Sequence, residues 1–283
     1  MRISRWVDRL PAITTIIALV MVFSVAALVH ADDLAPFAGQ TGVVRISGGT
    51  AHIPVMKEAA KQIMQRYPKI QITVAGGGSG VGIKQVGEGL VDIGNSGRKP
   101  TDAEIAKYDL KLFKWAIDGV GVVVNPKNSV TALSTDQVKA VFAGRITNWK
   151  ELGGVDKPIN VYTRDEASGT REVFWKKALA KGEIVAGANV VVSNGAMKSA
   201  IAGDPYGIGY VSVGHIDASV TPVALDGVVP TLETVKSGKY TVSRGLYSNT
   251  KGNPTGLTKA FIDFLFSPTG QAIAAEKGFV AVN

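Results

Sequence analysis

Residues 70–80 read Ile70-Gln71-Ile72-Thr73-Val74-Ala75-Gly76-Gly77-Gly78-Ser79-Gly80. Alternating β-branched positions through Ala75 predict a strand, the glycines and Ser79 predict a sharp turn, and residues 81–90 carry helical spacing. A strand that passes through a glycine loop into a helix is the building unit of an α/β fold. The chain on either side repeats it. Residues 43–46 predict a strand, and Ile53, Met56, Ala60, Ile63, Met64 and Tyr67 mark one face of a helix that Pro68 ends.

Further along, residues 91–94 predict a short strand. Thr101 with Glu104 and Ser134 with Gln137 form capping boxes that open two more helices. The Val/Gly run 119–125 suits a buried strand crossing the molecule, and residues 159–163 give another strand before a helix over 170–179. A shorter helix is expected over 196–202, strands over 208–213, 220–225 and 241–247, and closing helices over 257–266 and 269–277. This order predicts an α/β fold of mostly parallel strands covered on both faces. No internal repeat or Pro/Ser-rich linker marks a domain boundary.

Composition narrows the function. The 283 residues include 31 Lys+Arg, 23 Asp+Glu, three His and no Cys. Disulfides, cysteine-ligated metals and a cysteine nucleophile are excluded. With 46% hydrophobic and 19% charged residues the sequence is that of a folded chain. Arg2, Arg5 and Arg9 precede the uncharged run 12–29, and Val29 and Ala31 stand at −3 and −1 of a cut after Ala31. Residues 1–31 are therefore expected to be an export signal, with an uncleaved membrane anchor as the other reading, and either places the working domain outside the cytoplasm. Without residues 1–31 the formal charge is +6. The basic residues are scattered and no nucleic-acid surface is expected.

Three predicted strand-to-helix junctions share one composition: Ser47-Gly48-Gly49-Thr50, Gly76–Gly80 and Ser168-Gly169-Thr170. The first N–H groups of a helix lack intrahelical partners and the helix dipole favours an anion there. Glycine lets the backbone approach an oxyanion, and Ser or Thr adds a hydroxyl donor. Ordinary N-capping explains any one of these loops equally well. Three in one chain point to convergence on a single ligand. Arg164 ends the 159–163 strand, four residues before Ser168, where its planar fork can clamp a tetrahedral anion, although pairing with Asp165 or Glu166 is the simpler reading of that arginine alone. A fourth junction offers Ser96 as a hydroxyl donor, and Arg98 either as a second guanidinium or as a brace for a neighbouring carboxylate.

Enzyme signatures are missing. The sequence carries no dinucleotide fingerprint, no Walker-type Gly-Lys-Ser/Thr and no Gly-x-Ser-x-Gly elbow, and Ser96-Gly97-Arg98-Lys99 matches Ser-x-x-Lys without its companion motifs. His52 reads as a polar helix-start residue rather than a general base, no acid/His spacing suggests a metal, and Trp115, Trp149 and Trp175 read as core or loop anchors.

Taken in order, Gly48-Gly49-Thr50, Gly76–Gly80, Asp92-Ile93-Gly94, residues 119–125, residues 146–154 (Ile-Thr-Asn-Trp-Lys-Glu-Leu-Gly-Gly) and residues 164–170 resemble the phosphate-binding proteins of ABC phosphate importers. The likeness runs from about residue 43 to residue 282. It implies a type II periplasmic-binding-protein fold, two α/β lobes with mixed, mostly parallel sheets, and phosphate in the cleft between them. One lobe would comprise 43–120 plus 246–283, the other 121–245, with 32–42 a loose leader and crossing strands near 119–124 and 243–247. Carried over by motif, Gly49, Thr50, Ser79 and Ser96 would bind phosphate from the first lobe and Arg164, Ser168, Gly169 and Thr170 from the second. The resemblance implies a monomer that binds inorganic phosphate without cofactor, metal or catalysis and delivers it to ABC permease subunits.

Some family members place an Asp shortly after the Asp-x-Gly strand to accept the proton of hydrogen phosphate. Gly97 stands there in this chain, so the acceptor would fall to Asp118, Asp165 or Glu166. Other functions consistent with the sequence are binding of sulfate or molybdate, phosphate sensing, and an exported phosphoester hydrolase using Ser79 or Thr50 with His52.

Overall fold

The structure is a computed structural model and describes residues 32–282. The expected export signal, residues 1–31, lies outside the described residues.

Strand β1 (Gly42–Gly48) leads through a turn at Thr50–His52 into α1 (Ile53–Arg66), then β2 (Ile70–Gly77), α2 (Ser79–Gly87), β3 (Ile93–Ser96) and α3 (Asp102–Tyr108). The long β4 (Leu110–Val124) is followed by β5 (Ala132–Leu133), α4 (Thr135–Phe142), β6 (Asn160–Arg164), α5 (Gly169–Lys177), β7 (Asn189–Val191), α6 (Asn194–Gly203) and β8 (Gly207–Ser212). After β9 (Thr221–Pro222), β10 (Ala224–Leu225) and α7 (Leu232–Lys236), β11 (Ser243–Lys251) runs back along β4, and α8 (Gly256–Phe266), α9 (Pro268–Glu276) and β12 (Val280–Ala281) complete the described chain.

The main sheet has the order β2-β1-β3-β11-β4-β8-β6-β7. Its outer strands pair in parallel, β1 with β2 and β3, and β6 with β7 and β8. The central pairs β3·β11, β4·β11 and β4·β8 are antiparallel, so the sheet is mixed, with its parallel character at the flanks. Register explains how one sheet serves two cores. Residues 110–119 of β4 face β11, whereas Val120–Val124 turn to β8.

One core collects Val44, Ile46, Val55, Ile63, Trp115, Phe261, Leu265 and Phe279, and a second collects Val122, Val138, Phe142, Trp149, Phe174, Ile208 and Tyr210. Phe174 and Tyr210 stack in the second with ring centroids 4.1 Å apart. The apolar stripe of α1 predicted from its spacing is buried at Met56, Ala60 and Ile63. Thr101 and Ser134 accept from the N3 amides of α3 and α4, and Glu104 and Gln137 close both capping boxes as their spacing requires.

Two expectations change. The leader is not loose: Phe37 is wholly buried against Tyr67 and Phe264, and Asp33 Oδ2 accepts from the Thr269 amide at 2.8 Å. The strand expected over 220–225 is two short pieces, because Pro222 has no N–H to continue a ladder and Val223 instead donates to Val122 O across the sheet.

Candidate functional site

The glycine-rich junctions meet. A narrow cavity is lined by Gly49, Thr50 and Ala51 after β1, by Gly78 and Ser79 at the start of α2, by Gly97 after β3, by Arg164 and Ser168-Gly169-Thr170 at the β6–α5 turn, and by Arg244 of β11. The N-termini of α2 and α5 open onto it. Both helices supply N–H groups that lack intrahelical acceptors, together with the positive ends of their dipoles.

Each hydroxyl is held by a bond that fixes which way it can donate. Ser79 Oγ accepts from the Gly97 amide at 2.9 Å, and Ser168 Oγ caps α5 by accepting from the Arg171 amide at 3.1 Å. Thr50 Oγ1 accepts from Asn194 N at 3.2 Å and from Asn194 Nδ2 at 3.0 Å. With both lone pairs engaged, the Thr50 hydroxyl hydrogen can only be donated. Asn194 Nδ2 also reaches Thr170 Oγ1 at 3.4 Å, and Asn194 Oδ1 accepts from the Ser212 amide at 3.0 Å.

Arg164 is 2% exposed. Its Nε donates to Val191 O at 2.9 Å and its Nη2 to Val192 O at 3.0 Å, carbonyls at the end of the neighbouring β7. Nη1 is buried without a partner. Burial works against the charged guanidinium, whose pKa is lowered by desolvation. A buried cation with an unbonded donor is costly unless an anion completes it.

The loops on either side of the cavity touch. Gly80 N donates to Ala167 O at 3.0 Å, His215 Nε2 lies 3.2 Å from Thr50 O, and the Arg98 Nε atom is 2.8 Å from Glu172 Oε2 of α5. Gly78 has φ +90°, and a Cβ there would meet Ala167 O at 2.7 Å, so only glycine fits this contact.

Of the residues expected from sequence, Gly49, Thr50, Ser79, Arg164, Ser168, Gly169 and Thr170 line the cavity together, whereas Ser96 does not. The Ser96 side chain is fully buried and its Oγ accepts from Asn249 Nδ2 at 2.9 Å, because strand alternation turns it toward β11 and leaves Gly97 at the cavity. Arg98 is the brace rather than a cavity guanidinium: its terminal nitrogens donate to Glu104 at 2.7 Å each, which holds the Glu104 carboxyl down at about 2.

His52 stands at the start of α1, as expected, but it is wholly buried. It packs edge-on against Trp115 with centroids 5.6 Å apart, and desolvation holds its pKa down to about 3. Neither ring nitrogen bonds to Ser79 or Thr50, so the hydrolase arrangement has no base in place. Asp118, Asp165 and Glu166 do not line the cavity. Trp115 and Trp149 are buried in the cores as expected, and Trp175 anchors a loop through its indole N–H to Gly182 O at 2.8 Å.

Sequence reasoning missed Arg244 and Asn194. Arg244 falls within the expected crossing strand 243–247, the one signal that bears on it. Asn194 carries none, because its bonds to Thr50 span 144 positions.

Comparison with known proteins agrees with this geometry. A family profile described as a PBP superfamily domain matches residues 35–269. The phosphate-binding protein PstS of Bacillus subtilis is 39% identical over 246 residues, covering 86% of this chain and 82% of its own, and PstS of Borreliella burgdorferi is 31% identical over 85% and 90%. Among solved structures, a protein from Clostridium perfringens described as a phosphate ABC transporter substrate-binding protein with bound phosphate superposes with a TM-score of 0.81 at 37% identity, covering 86% of this chain and all of that one. An ABC-type phosphate transport receptor from Vibrio cholerae follows at 0.67 and 33%, covering 84% and 99%. On the strength of its fold, its convergent anion-binding loops and these matches, the chain belongs to the PBP superfamily and, within it, to the family of the phosphate-binding protein PstS.

Proposed function

We propose that this protein is an exported, monomeric solute-binding protein that captures inorganic phosphate in the cavity above and delivers it to the membrane subunits of an ABC importer, without chemistry on the ligand. The observation that carries the reading is the buried Arg164, with Nη1 unpartnered at the place where α2 and α5 begin. An anion there gains a charge-assisted bond in a dry, low-dielectric setting. Thr50, Ser79, Ser168 and Thr170 would give hydroxyl donors, and Gly49, Gly169 and the helix starts would give backbone approach. The names of the relatives, phosphate-binding proteins and phosphate transport receptors, support phosphate as the ligand and transport as the role.

Two lobes, 43–120 plus 246–283 and 121–245, accord with how the cores divide: the first draws on residues 37–116 and 246–279, and the second mainly on 120–242 with Val280 added from the end. The lining is rich in donors and has no carboxylate, which suits a dianion. Export rests on the sequence of residues 1–31. Among the described residues no helix is long and apolar enough to cross a membrane.

Titration calorimetry with phosphate, arsenate, sulfate and molybdate tests the reading, and one tight phosphate site is expected. Arg164→Ala should weaken it by about 1.5 to 3 kcal/mol, roughly 10- to 150-fold. Absence of binding to phosphate alongside clear binding of sulfate or molybdate would sink the phosphate assignment, and an unchanged affinity in Arg164→Ala would remove Arg164 from the site.

A further inference from the structure

Asp118 and Arg244 face each other across the β4·β11 ladder, at the last pairs before β4 turns from β11 to β8. Their side chains are 0% and 3% exposed. Arg244 Nε and Nη2 donate to Asp118 Oδ2 at 2.9 and 2.7 Å, and Nη1 donates to Gly97 O at 3.3 Å. Ser212 Oγ of β8 donates to Asp118 Oδ1 at 2.9 Å, so the carboxylate is held from both of the strands that flank β4.

A guanidinium has five N–H donors. Three are used in these bonds, which leaves one N–H on each terminal nitrogen. Arg244 lines the cavity, whereas Asp118 does not. The counter-ion thus occupies one edge of the fork and the other edge is turned toward the ligand space. Gly97 makes this possible. A Cβ on residue 97 would lie 2.7 Å from Arg244 Nη1 and 3.0 Å from its Cζ, so a side chain there would displace the guanidinium.

We propose that Arg244, aimed by Asp118 and admitted by Gly97, is a second anion-binding guanidinium that contacts the tetrahedral oxyanion from the crossing strands while Arg164 contacts it from the end of β6. This rests on the phosphate reading of the cavity and extends it. The helix starts of α2 and α5 close on the anion from two sides, and Arg244 supplies a third from the strands beneath. A tetrahedral ligand has oxygens facing all three. A buried ion pair is by itself a weak source of stability compared with an apolar pair of similar size. Its place beside an anion cavity, with one fork edge open, fits ligand positioning better than bracing.

The test is calorimetric titration of inorganic phosphate into three proteins: wild type, Arg244→Lys, and the double variant Asp118→Asn/Arg244→Gln, which leaves no buried charge unpaired. Thermal melts with and without phosphate accompany each. The double variant is expected to lose at least tenfold in phosphate affinity, and Arg244→Lys at least threefold, because a compact ammonium lacks the planar fork that meets Asp118 along one edge and the anion along another. The phosphate-induced rise in Tm, measured from each variant's own ligand-free Tm, should shrink in the same order; a bracing role would lower the ligand-free Tm and leave that rise intact. If both variants bind phosphate within twofold of wild type, Arg244 is a brace and this inference fails while the phosphate reading stands. If wild type binds no phosphate, both fail. Should the double variant not fold, Arg244→Lys decides by the same threshold.

Discussion

Replacing Gly78 with alanine tests how closely the two sides of the cavity must approach. Gly78 has φ 90° and ψ 168°, a region that residues with a Cβ avoid at a cost of about 1 to 3 kcal/mol. Its new methyl would lie 2.7 Å from Ala167 O, roughly 0.7 Å inside ordinary contact. Relief requires the β6–α5 turn to withdraw, which breaks the 3.0 Å bond from Gly80 N to Ala167 O, worth about 1 kcal/mol. The backbone strain falls on the fold. At about 2 to 4 °C per kcal/mol for a domain of this size it should lower Tm by roughly 2 to 12 °C. The loss of contact falls on the ligand, since donors from α2 and α5 no longer reach one anion together, and phosphate affinity should fall at least about fivefold. Calorimetry and a thermal melt measure the two separately. Gly80→Ala is the control: its Cβ would stand 3.5 Å from the nearest atom of Ala167 and should change little. Phosphate affinity within twofold of wild type in Gly78→Ala would refute the argument that this contact sets the geometry of binding.

Acid should destabilise the protein through one buried and one partly buried histidine. His52 and His215 are held down to about 3 and about 4 by desolvation, so below the ordinary value of 6.5 the unfolded chain binds protons that the native one does not, and stability falls with pH. For His52 alone the loss reaches roughly 3 kcal/mol by pH 4.5; chemical denaturation of His52→Gln should show a shallower slope between pH 6.5 and 4.5, and an identical slope would contradict the assignment. Thr50→Val strips Asn194 N of its acceptor and leaves Nδ2 only the long bond to Thr170, which costs about 1 to 3 kcal/mol in stability and lowers phosphate affinity, whereas Thr50→Ser should restore both; equal melting of Thr50→Val and wild type would show that the bonds are dispensable. Glu172→Gln removes the charge that meets Arg98 but leaves Arg98 held by Glu104, so phosphate affinity should drop by no more than about fivefold. A hundredfold loss by calorimetry would mean that Glu172 belongs to the binding machinery itself.

Much of the site was legible because it is built from local signals. A strand, a glycine turn and a helix start are written in adjacent residues, and three such junctions announced an anion before any contact was known. Where reading failed, the deciding forces came from a distance. Residues 110–118 lacked a clean strand pattern because β4 there is flanked by β11 and capped at one end by β12, which sets its burial by neighbours and not by alternation. Ser96 ends β3 and Gly97 follows it, the facing of that strand end could not be read from sequence, and the one position moves the cavity-lining residue from a serine to a glycine.

The sequence by itself determined an α/β chain with glycine-rich helix starts, one arginine poised at a helix N-terminus, and no cysteine for a disulfide or a thiolate site. These follow from composition and from spacing within a dozen residues. Only the tertiary structure decided which groups share a cavity: that Asn194 locks the Thr50 hydroxyl as a donor, that Arg98 is spent on Glu104 and Glu172, and that Arg244 lines the cavity paired with Asp118. Each joins residues far apart in the chain. Their approach is set by sheet register and by the packing of two cores, which no local pattern encodes.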